Sequence, residues 1–131
     1  MARVLIVDDD PSIRSLLEDL LRDEGHVTIV AADGRAAIER ARETRPDVIL
    51  MDLMLPVLDG ASAIRALKSD PATRDIPVIA MSAGANLRLH AEHLPADGVL
   101  GKPFDLDTVL AHVTINSRAD GTRDPVESPG A

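Results

Sequence analysis

The sequence predicts an α/β domain built on a five-stranded parallel sheet with helices on both faces. Short apolar runs alternate with segments whose apolar residues have helical spacing, and this unit occurs five times. Such alternation is typical of parallel sheets, because each crossover helix packs on one face or the other. Two runs, residues 4–7 and 48–51, are apolar at every position, as expected for strands buried on both faces.

The first helix has clear start and stop signals. Asp10 suits the N-cap, and Pro11 suits the first helical position, where its missing N–H costs nothing. Gly25 predicts the end of this helix. Its apolar face comprises Ile13, Leu16, Leu17, Leu20 and Leu21. Residues 26–31 follow as a strand whose weaker apolar character places it near an edge of the sheet.

The remaining elements follow from the same apolar patterns and from helix breakers. Further strands are predicted at residues 48–53, 78–81 and 99–101. Further helices are predicted at residues 35–44, 61–68 and 86–94, and around Leu106, Val109, Leu110 and Val113. Residues 1–117 therefore form one domain. Residues 118–131 are rich in Gly, Pro, Asp and Ser, which predicts a disordered tail or the start of a linker.

Composition excludes several functions. The formal net charge of −8 argues against direct nucleic-acid binding, which requires clustered Lys and Arg. No apolar stretch approaches the ~20 residues that cross a bilayer, so we expect no membrane insertion. There is no cysteine, which excludes disulfides and thiolate metal sites. Because no signal-peptide pattern precedes the first strand, we expect a cytoplasmic protein.

Four of the predicted strands lead into residues that carry chemistry. These residues are Asp8, Asp9 and Asp10 after the first strand, Asp52 in the third, Ser82 after the fourth and Lys102 after the fifth. The carboxyl ends of parallel strands meet at one edge of a sheet, so these side chains are expected to converge. Carboxylates beside a hydroxyl and an ammonium suit a divalent cation and a phosphoryl group.

The segments around these residues form an ordered set of motifs. They are Val7-Asp8-Asp9-Asp10, Met51-Asp52-Leu53-Met54-Leu55-Pro56 with Asp59-Gly60, Met81-Ser82-Ala83, and Gly101-Lys102-Pro103-Phe104. Over residues 3–116 this set resembles the receiver domain of two-component response regulators, in particular the single-domain chemotaxis regulators. The resemblance implies a flavodoxin-like (βα)5 three-layer sandwich with strand order 2-1-3-4-5. It also implies a cis peptide bond between Lys102 and Pro103.

The resemblance further implies a role for each site residue. Asp52 would accept a phosphoryl group as an acyl phosphate. The cofactor would be Mg²⁺ or Mn²⁺, which also removes the repulsion among clustered carboxylates. Its ligands would be Asp9, Asp52 and the backbone carbonyl of Met54, with Asp8 binding through water. Lys102 would pair with the phosphoryl oxygens, and Ser82 would hydrogen-bond to the same group.

The implied function is a signalling switch rather than a metabolic enzyme, and the domain would assist only its own phosphorylation and dephosphorylation. A histidine kinase or phosphotransfer protein would donate the phosphoryl group. The altered surface would act on a downstream protein target or an output domain, and the resemblance includes homodimer formation on phosphorylation. With no output domain after residue 117, we expect a stand-alone regulator or a fragment of a longer one.

Two departures from the family pattern bear on the switch. Val99 stands three residues before Lys102, where the family usually carries Tyr or Phe, so a swinging aromatic side chain is absent. The stretch between Ser82 and Lys102 is slightly short and contains Pro95, which predicts a short or frayed fourth helix and a changed dimer surface. Met54 and Gly84 lack side chains that would position an attacking water, which predicts a long-lived phosphoryl state.

Other functions remain open from the sequence. Asp8 to Ser12 contains the D-x-D-x-S spacing of haloacid-dehalogenase-like phosphatases, which would use Asp8 and Asp10. A degenerate receiver that binds partners without phosphorylation is a further alternative. A nucleotide-binding Rossmann module fits less well, because the first βα turn has no glycine. His90 and His93 have a metal-compatible spacing, but with no third ligand we interpret them as surface residues.

Overall fold

A computed structural model describes residues 2–83, 94–103 and 105–116. Five parallel strands form one sheet in the order β2-β1-β3-β4-β5, which confirms the predicted topology. The strands are β1 (Arg3–Val7), β2 (Val27–Ala31), β3 (Val48–Asp52), β4 (Val78–Ala83) and β5 (Gly98–Lys102). The helices of the described ranges are α1 (Pro11–Asp23), α2 (Gly34–Thr44), α3 (Gly60–Ser69) and α4 (Leu106–Asn116). None of these helices combines the length and apolar character needed to cross a bilayer.

Helices cover the two faces of the sheet in pairs, so the domain has three layers. Successive residues of a strand point to opposite faces, and β1 and β3 therefore contribute to both cores. On one face, these strands pack with α2 and α3 through residues that include Leu5, Val7, Ile49, Ala41 and Leu67. On the other face, they pack with α1 and α4 through residues that include Ile6, Leu50, Leu17, Val109 and Val113. Both cores are aliphatic among the described residues.

Aspartates start three of the helices, directly beyond the strands or loops that precede them. The Asp10 side chain accepts a hydrogen bond from Ser12 N–H at 2.9 Å, and Pro11 opens α1 as predicted. Asp33 and Asp59 cap α2 and α3 in the same way. Because a carboxylate at an N-cap satisfies free backbone donors, each helix begins at a fixed residue. These caps hold short loops at the carboxyl edge of the sheet.

Some sequence predictions differ from the structure or lie outside the described residues. Leu16, predicted on the buried face of α1, is 45% exposed, and Leu106 at the start of α4 is 38% exposed. Leu16 lies at one margin of the apolar stripe of α1, and Leu106 is the first residue of α4. Strand β4 continues to Ala83, beyond the predicted Met81. The predicted helix at residues 86–94 lies outside the described residues except for Leu94, and so do Gly84, His90, His93, Phe104 and residues 118–131.

His26 directly precedes β2 and bonds to Ala2, which directly precedes β1, and its titration is expected to affect stability. Its Nδ1 accepts a hydrogen bond from Ala2 N–H at 3.0 Å. Burial lowers the pKa of the imidazole below its ordinary value of 6.5. A depressed folded-state pKa means that the stability from neutral His26 is present above about pH 6.5 and is lost as pH falls through the folded-state pKa. Protonation would also place a second donor against the Ala2 N–H.

We therefore expect the urea midpoint of the wild-type protein to fall more steeply than that of His26→Asn between about pH 7 and pH 5. The asparagine carbonyl can accept the same hydrogen bond and does not titrate. Far-UV circular dichroism is the suitable probe, because the chain has no Trp or Tyr. Equal pH slopes for the two proteins would contradict this prediction.

Candidate functional site

Strand register brings the predicted site residues to one edge of the sheet. Val7 pairs with Met51 across β1 and β3, so Asp8 follows β1 at the same level as Asp52. Asp52 pairs with Met81 of β4, which places Ser82 one residue farther along. Ala83 pairs with Lys102 of β5, one residue farther again. The four strand ends therefore form a staggered row, and the long lysine side chain extends back towards the carboxylates.

Three carboxylates of this row lie close together. Asp8, Asp9 and Asp52 each offer an oxygen, and these oxygens all lie within 4.8 Å of one another. Asp8 is fully buried and Asp52 is 4% exposed, whereas Asp9 is open to solvent. Oxygen donors at this spacing fit a hard divalent cation that retains some of its water. Because Asp9 is exposed while Asp8 and Asp52 are buried, a cation and a substrate can reach the cluster from the side of Asp9.

Lys102 supplies the positive charge for the two buried carboxylates. Its Nζ lies 2.7 Å from Asp8 Oδ2 and 3.2 Å from Asp52 Oδ2. Burial alone would lower the pKa of Lys102, but the hydrogen bond to Asp8 and the charges of both carboxylates raise it overall. Lys102 therefore stays protonated and bridges Asp8 to Asp52. The peptide bond between Lys102 and Pro103 is cis.

Backbone amides hold the remaining oxygens of the buried pair. Asp10 N–H donates to Asp8 Oδ1 at 2.9 Å, and Met54 N–H donates to Asp52 Oδ1 at 3.0 Å. Burial raises the pKa of the Asp52 carboxyl. The Met54 amide opposes this shift, the Asp8 charge adds to it, and Lys102 opposes it. Burial and the Asp8 charge prevail, so an ionised Asp52 costs folding free energy that a bound cation would recover.

Ser82, Met54 and Asp10 occupy different positions around this cluster. Ser82 is 3% exposed at the end of β4, and within the described residues no hydrogen bond joins its hydroxyl to another side chain. The Met54 side chain is 72% exposed beside Asp52, while its amide holds that carboxylate. Asp10 caps α1, as the sequence predicted, and is not one of the clustered acids.

Arg14 is a residue near the site that sequence reasoning missed. Its Nη1 donates to the backbone carbonyl of Asp8 at 2.7 Å. Its position in the sequence was the one indication, because it lies on the first turn of α1, directly after the acidic loop (residues 8–10). A helix capped at Asp10 directs the side chains of that turn back towards the loop.

The loop between β3 and α3 contains a strained turn close to Asp52. Val57 has a φ of 67°, which is unfavourable for a β-branched residue. The turn is closed by a hydrogen bond of 2.7 Å from Leu58 N–H to the carbonyl of Pro56. The side chains of Val57 and Met54 are both largely exposed, so the loop presents apolar groups beside the acidic cluster.

The first residue of α3 packs against the end of β3 so closely that it has to be glycine. A Cβ on Gly60 would lie 2.0 Å from the Asp52 carbonyl oxygen and 2.6 Å from Leu53 Cα. We expect Gly60→Ala to displace the Asp52 backbone, lowering the free energy of unfolding by about 2–3 kcal/mol and weakening Mn²⁺ binding. Urea denaturation and a Mn²⁺ titration measure the two effects. Wild-type values in both would show that the contact does not constrain the site.

Comparison with known proteins identifies the family. The profile of the response regulator receiver domain matches residues 4–114. The chain belongs to the receiver-domain family of response regulators. This receiver domain is 40% identical over 121 residues to the transcriptional regulatory protein PrrA of Mycobacterium leprae, covering 91% of the chain and 51% of the relative. It is 38% identical to the DNA-binding dual master transcriptional regulator RpaA of Synechocystis, covering 86% of the chain and 48% of the relative. The chain thus spans about half the length of these relatives.

Solved structures agree with this assignment. The receiver domain of sensor histidine kinase PA1611 from Pseudomonas aeruginosa, which has a magnesium ion coordinated in its active-site cleft, superposes with a TM-score of 0.80 at 34% identity, covering 86% of the chain and 94% of that domain. The chemotaxis protein CheY4 of Vibrio cholerae gives 0.79 at 33% identity, covering 86% and 96%. The predicted fold and the predicted signalling function in two-component systems are confirmed. None of these matches supports the haloacid-dehalogenase-like alternative.

Proposed function

We propose that Asp52 is the phosphoacceptor of this receiver domain and that the acidic cluster binds Mg²⁺ or Mn²⁺ beside it. Asp9, Asp52 and the backbone carbonyl of Met54 would be direct ligands, and Asp8 would act through water. The observation that carries the proposal is the cluster of three carboxylates, two of which pair with the Lys102 ammonium. These four side chains come from three strand ends far apart in the sequence.

The chemistry follows from the two oxygens of Asp52. The Met54 amide and the Lys102 ammonium orient this carboxylate, and one oxygen attacks the phosphorus of the donor. An O–P bond to Asp52 forms while the bond from phosphorus to the leaving group breaks, and the leaving group takes the electron pair. A bound divalent cation supplies positive charge at the transferring phosphoryl group. Lys102 gives up a carboxylate contact and pairs with a phosphoryl oxygen.

The switch is a local change of charge. The phosphoryl group carries about −1.5 to −2 charges and replaces the single charge of the ionised carboxylate, so the site gains up to about one negative charge and new acceptor oxygens beside Ser82 and Lys102. The buried hydroxyl of Ser82 can turn to donate to one of these oxygens, and β4 and β5 carry that movement to the neighbouring surface. Val99 is small and pairs with Ala80 in the sheet, so movement of the backbone and loops, rather than a rotating aromatic ring, would transmit the signal.

The partners follow from the family and the charge. A histidine kinase or phosphotransfer protein would donate the phosphoryl group in the cytoplasm, and a downstream protein, an output domain or a second copy would read the altered surface. PrrA is a transcriptional regulatory protein and RpaA binds DNA, and both are about twice as long as the matched region. We propose residues 1–117 as the receiver unit and residues 118–131 as a tail or linker to whatever carries the output.

The direct test is phosphorylation by a small donor. Incubation with acetyl phosphate and Mg²⁺, followed by intact-mass and peptide spectrometry, should show one added phosphoryl group on the peptide containing Asp52. The same reaction in EDTA should show none. Modification of another residue, or none with Mg²⁺ present, would disprove the proposed role of Asp52.

The phosphoryl group on Asp52 is expected to persist. The exposed side chain of Met54 offers only a weak thioether acceptor, which is poorly suited to position a water for attack on phosphorus. Met54→Asn introduces an amide at the same position and is expected to shorten the lifetime by about tenfold, which is less than a general acid or base contributes because an amide only positions the water. Phosphate release after donor removal measures both rates, with Val57→Asn as a control for a polar change elsewhere on the loop. Equal lifetimes for wild type and Met54→Asn would contradict the prediction.

A further inference from the structure

Arg14 lies behind the acidic loop rather than among its carboxylates. Its guanidinium donates from Nη1 to the Asp8 carbonyl oxygen at 2.7 Å, and the residue is half-buried on α1. No ion pair joins Arg14 to a carboxylate anywhere in residues 2–83, 94–103 and 105–116. Arg14 therefore contacts the backbone of the site and, among the described residues, pairs with none of its carboxylates.

That contact matters most for Asp9, the exposed member of the cluster. The peptide group before Asp9 is held through the Asp8 carbonyl by Arg14. The peptide group after Asp9 is held through the Asp10 N–H by Asp8 Oδ1. The backbone dihedral angles of Asp9 lie between these two fixed planes, so both hydrogen bonds together set the direction of its side chain.

The hydrogen bond to the Asp10 N–H comes from Asp8, which belongs to the cluster. The hydrogen bond to the Asp8 carbonyl comes from Arg14, which lies outside the cluster. Arg14 N–H also donates to the Asp10 carbonyl at 3.1 Å, so the residue is fixed in the first turn of α1. A rigid helix thus carries the side chain that orients the loop. Partners of this kind, which orient ligands without touching the cation, typically change metal affinity by about 10-fold to 100-fold.

The charge of Arg14 acts in the opposite direction. A guanidinium near the cluster repels a divalent cation, so its removal would tighten binding if charge were its only effect. Loss of the Asp8 carbonyl contact would instead leave Asp9 poorly directed and weaken binding. The sign of the change in affinity therefore separates the two effects.

We propose that Arg14 is a positioning residue that orients Asp9 for a divalent cation. This inference rests on the proposed function, because it assumes that the acidic cluster binds such a cation. It assigns to Arg14 a role in cation affinity rather than in the phosphoryl transfer itself.

The experiment measures Mn²⁺ affinity by electron paramagnetic resonance of the free ion. Arg14→Met is expected to weaken binding about tenfold, and Arg14→Lys, which keeps a cationic donor, should recover part of the loss. Arg22→Met is the matched control, since Arg22 carries the same charge on the same helix but pairs with Glu18 on the surface. Its affinity should be close to that of the wild type.

Phosphorylation by acetyl phosphate provides the second readout. The Mg²⁺ concentration for half-maximal rate should rise in Arg14→Met, while the rate at saturating Mg²⁺ returns close to that of the wild type. Unchanged or tighter Mn²⁺ binding in Arg14→Met would overturn the inference, as would a loss of rate that saturating Mg²⁺ does not restore. If the wild-type protein itself binds no Mn²⁺, the proposed function fails instead.

Discussion

Asp52→Asn is expected to abolish phosphoryl incorporation and, in metal-free protein near pH 7, to raise the free energy of unfolding by about 1 kcal/mol. Asparagine keeps the acceptor for the Met54 amide but has no nucleophilic carboxylate. It also removes a buried charge whose pKa is raised by burial and by Asp8. A raised folded-state pKa makes ionisation costly at neutral pH, so the gain should shrink as pH falls towards about 4.

Asp10→Asn is the matched control for this substitution. It removes the same charge from the adjacent loop, and asparagine caps a helix as well as aspartate does. Asp10→Asn should retain phosphorylation at Asp52, with little change in stability. A loss of phosphorylation in Asp10→Asn but not in Asp52→Asn would instead point to a site centred on the β1–α1 loop. Urea denaturation in EDTA and intact-mass spectrometry distinguish these outcomes.

Lys102→Met is expected to lower the free energy of unfolding in EDTA by about 2–3 kcal/mol and to make stability strongly dependent on Mg²⁺. The ammonium is the positive partner of Asp8 and Asp52, and its loss leaves two buried carboxylates without a counter-charge. A divalent cation can replace that charge. Mg²⁺ should therefore stabilise Lys102→Met more than the wild-type protein, as shown by urea midpoints over a Mg²⁺ titration.

Lys68→Met is the control for the loss of a partly buried lysine. Lys68 Nζ pairs with Asp97 at 2.8 Å and donates to the Ile76 carbonyl near the start of β4, at the opposite edge of the sheet. Its substitution should destabilise the protein by an amount that Mg²⁺ leaves unchanged. Equal Mg²⁺ responses in the two variants would mean that Lys102 does not neutralise the cation site.

Much of the site was predictable because it follows from strand ends. The apolar runs before Asp8 and Asp52 fixed both the strands and the residues that follow them, and parallel pairing brought their ends together. The cap at Asp10 was equally local, since an N-cap depends on a few neighbouring residues. Strand bounds shifted by one or two residues because hydrogen bonding with neighbouring strands extends or shortens each strand.

Other features depend on contacts that no local pattern encodes. The bridge from Lys102 to Asp8 joins residues 94 positions apart. The contact from Arg14 to the Asp8 carbonyl depends on the exact placement of α1 over the loop. The exposure of Leu16 reflects how far the neighbouring layer extends over α1, whereas the helical period alone places Leu16 beside Leu17 and Leu20. Tertiary packing decides these three features.

In the proposed function, Asp8, Asp9 and Asp52 form one cation site around a phosphoacceptor. Paramagnetic broadening of amide resonances by substoichiometric Mn²⁺ tests it most directly. We predict the strongest broadening at residues 8–10 and 52–54, none around Val27 and Asp47 at the opposite edge of the sheet, and loss of the pattern in Asp52→Asn. Broadening centred elsewhere, or an unchanged pattern in Asp52→Asn, would show that these three carboxylates do not share a cation.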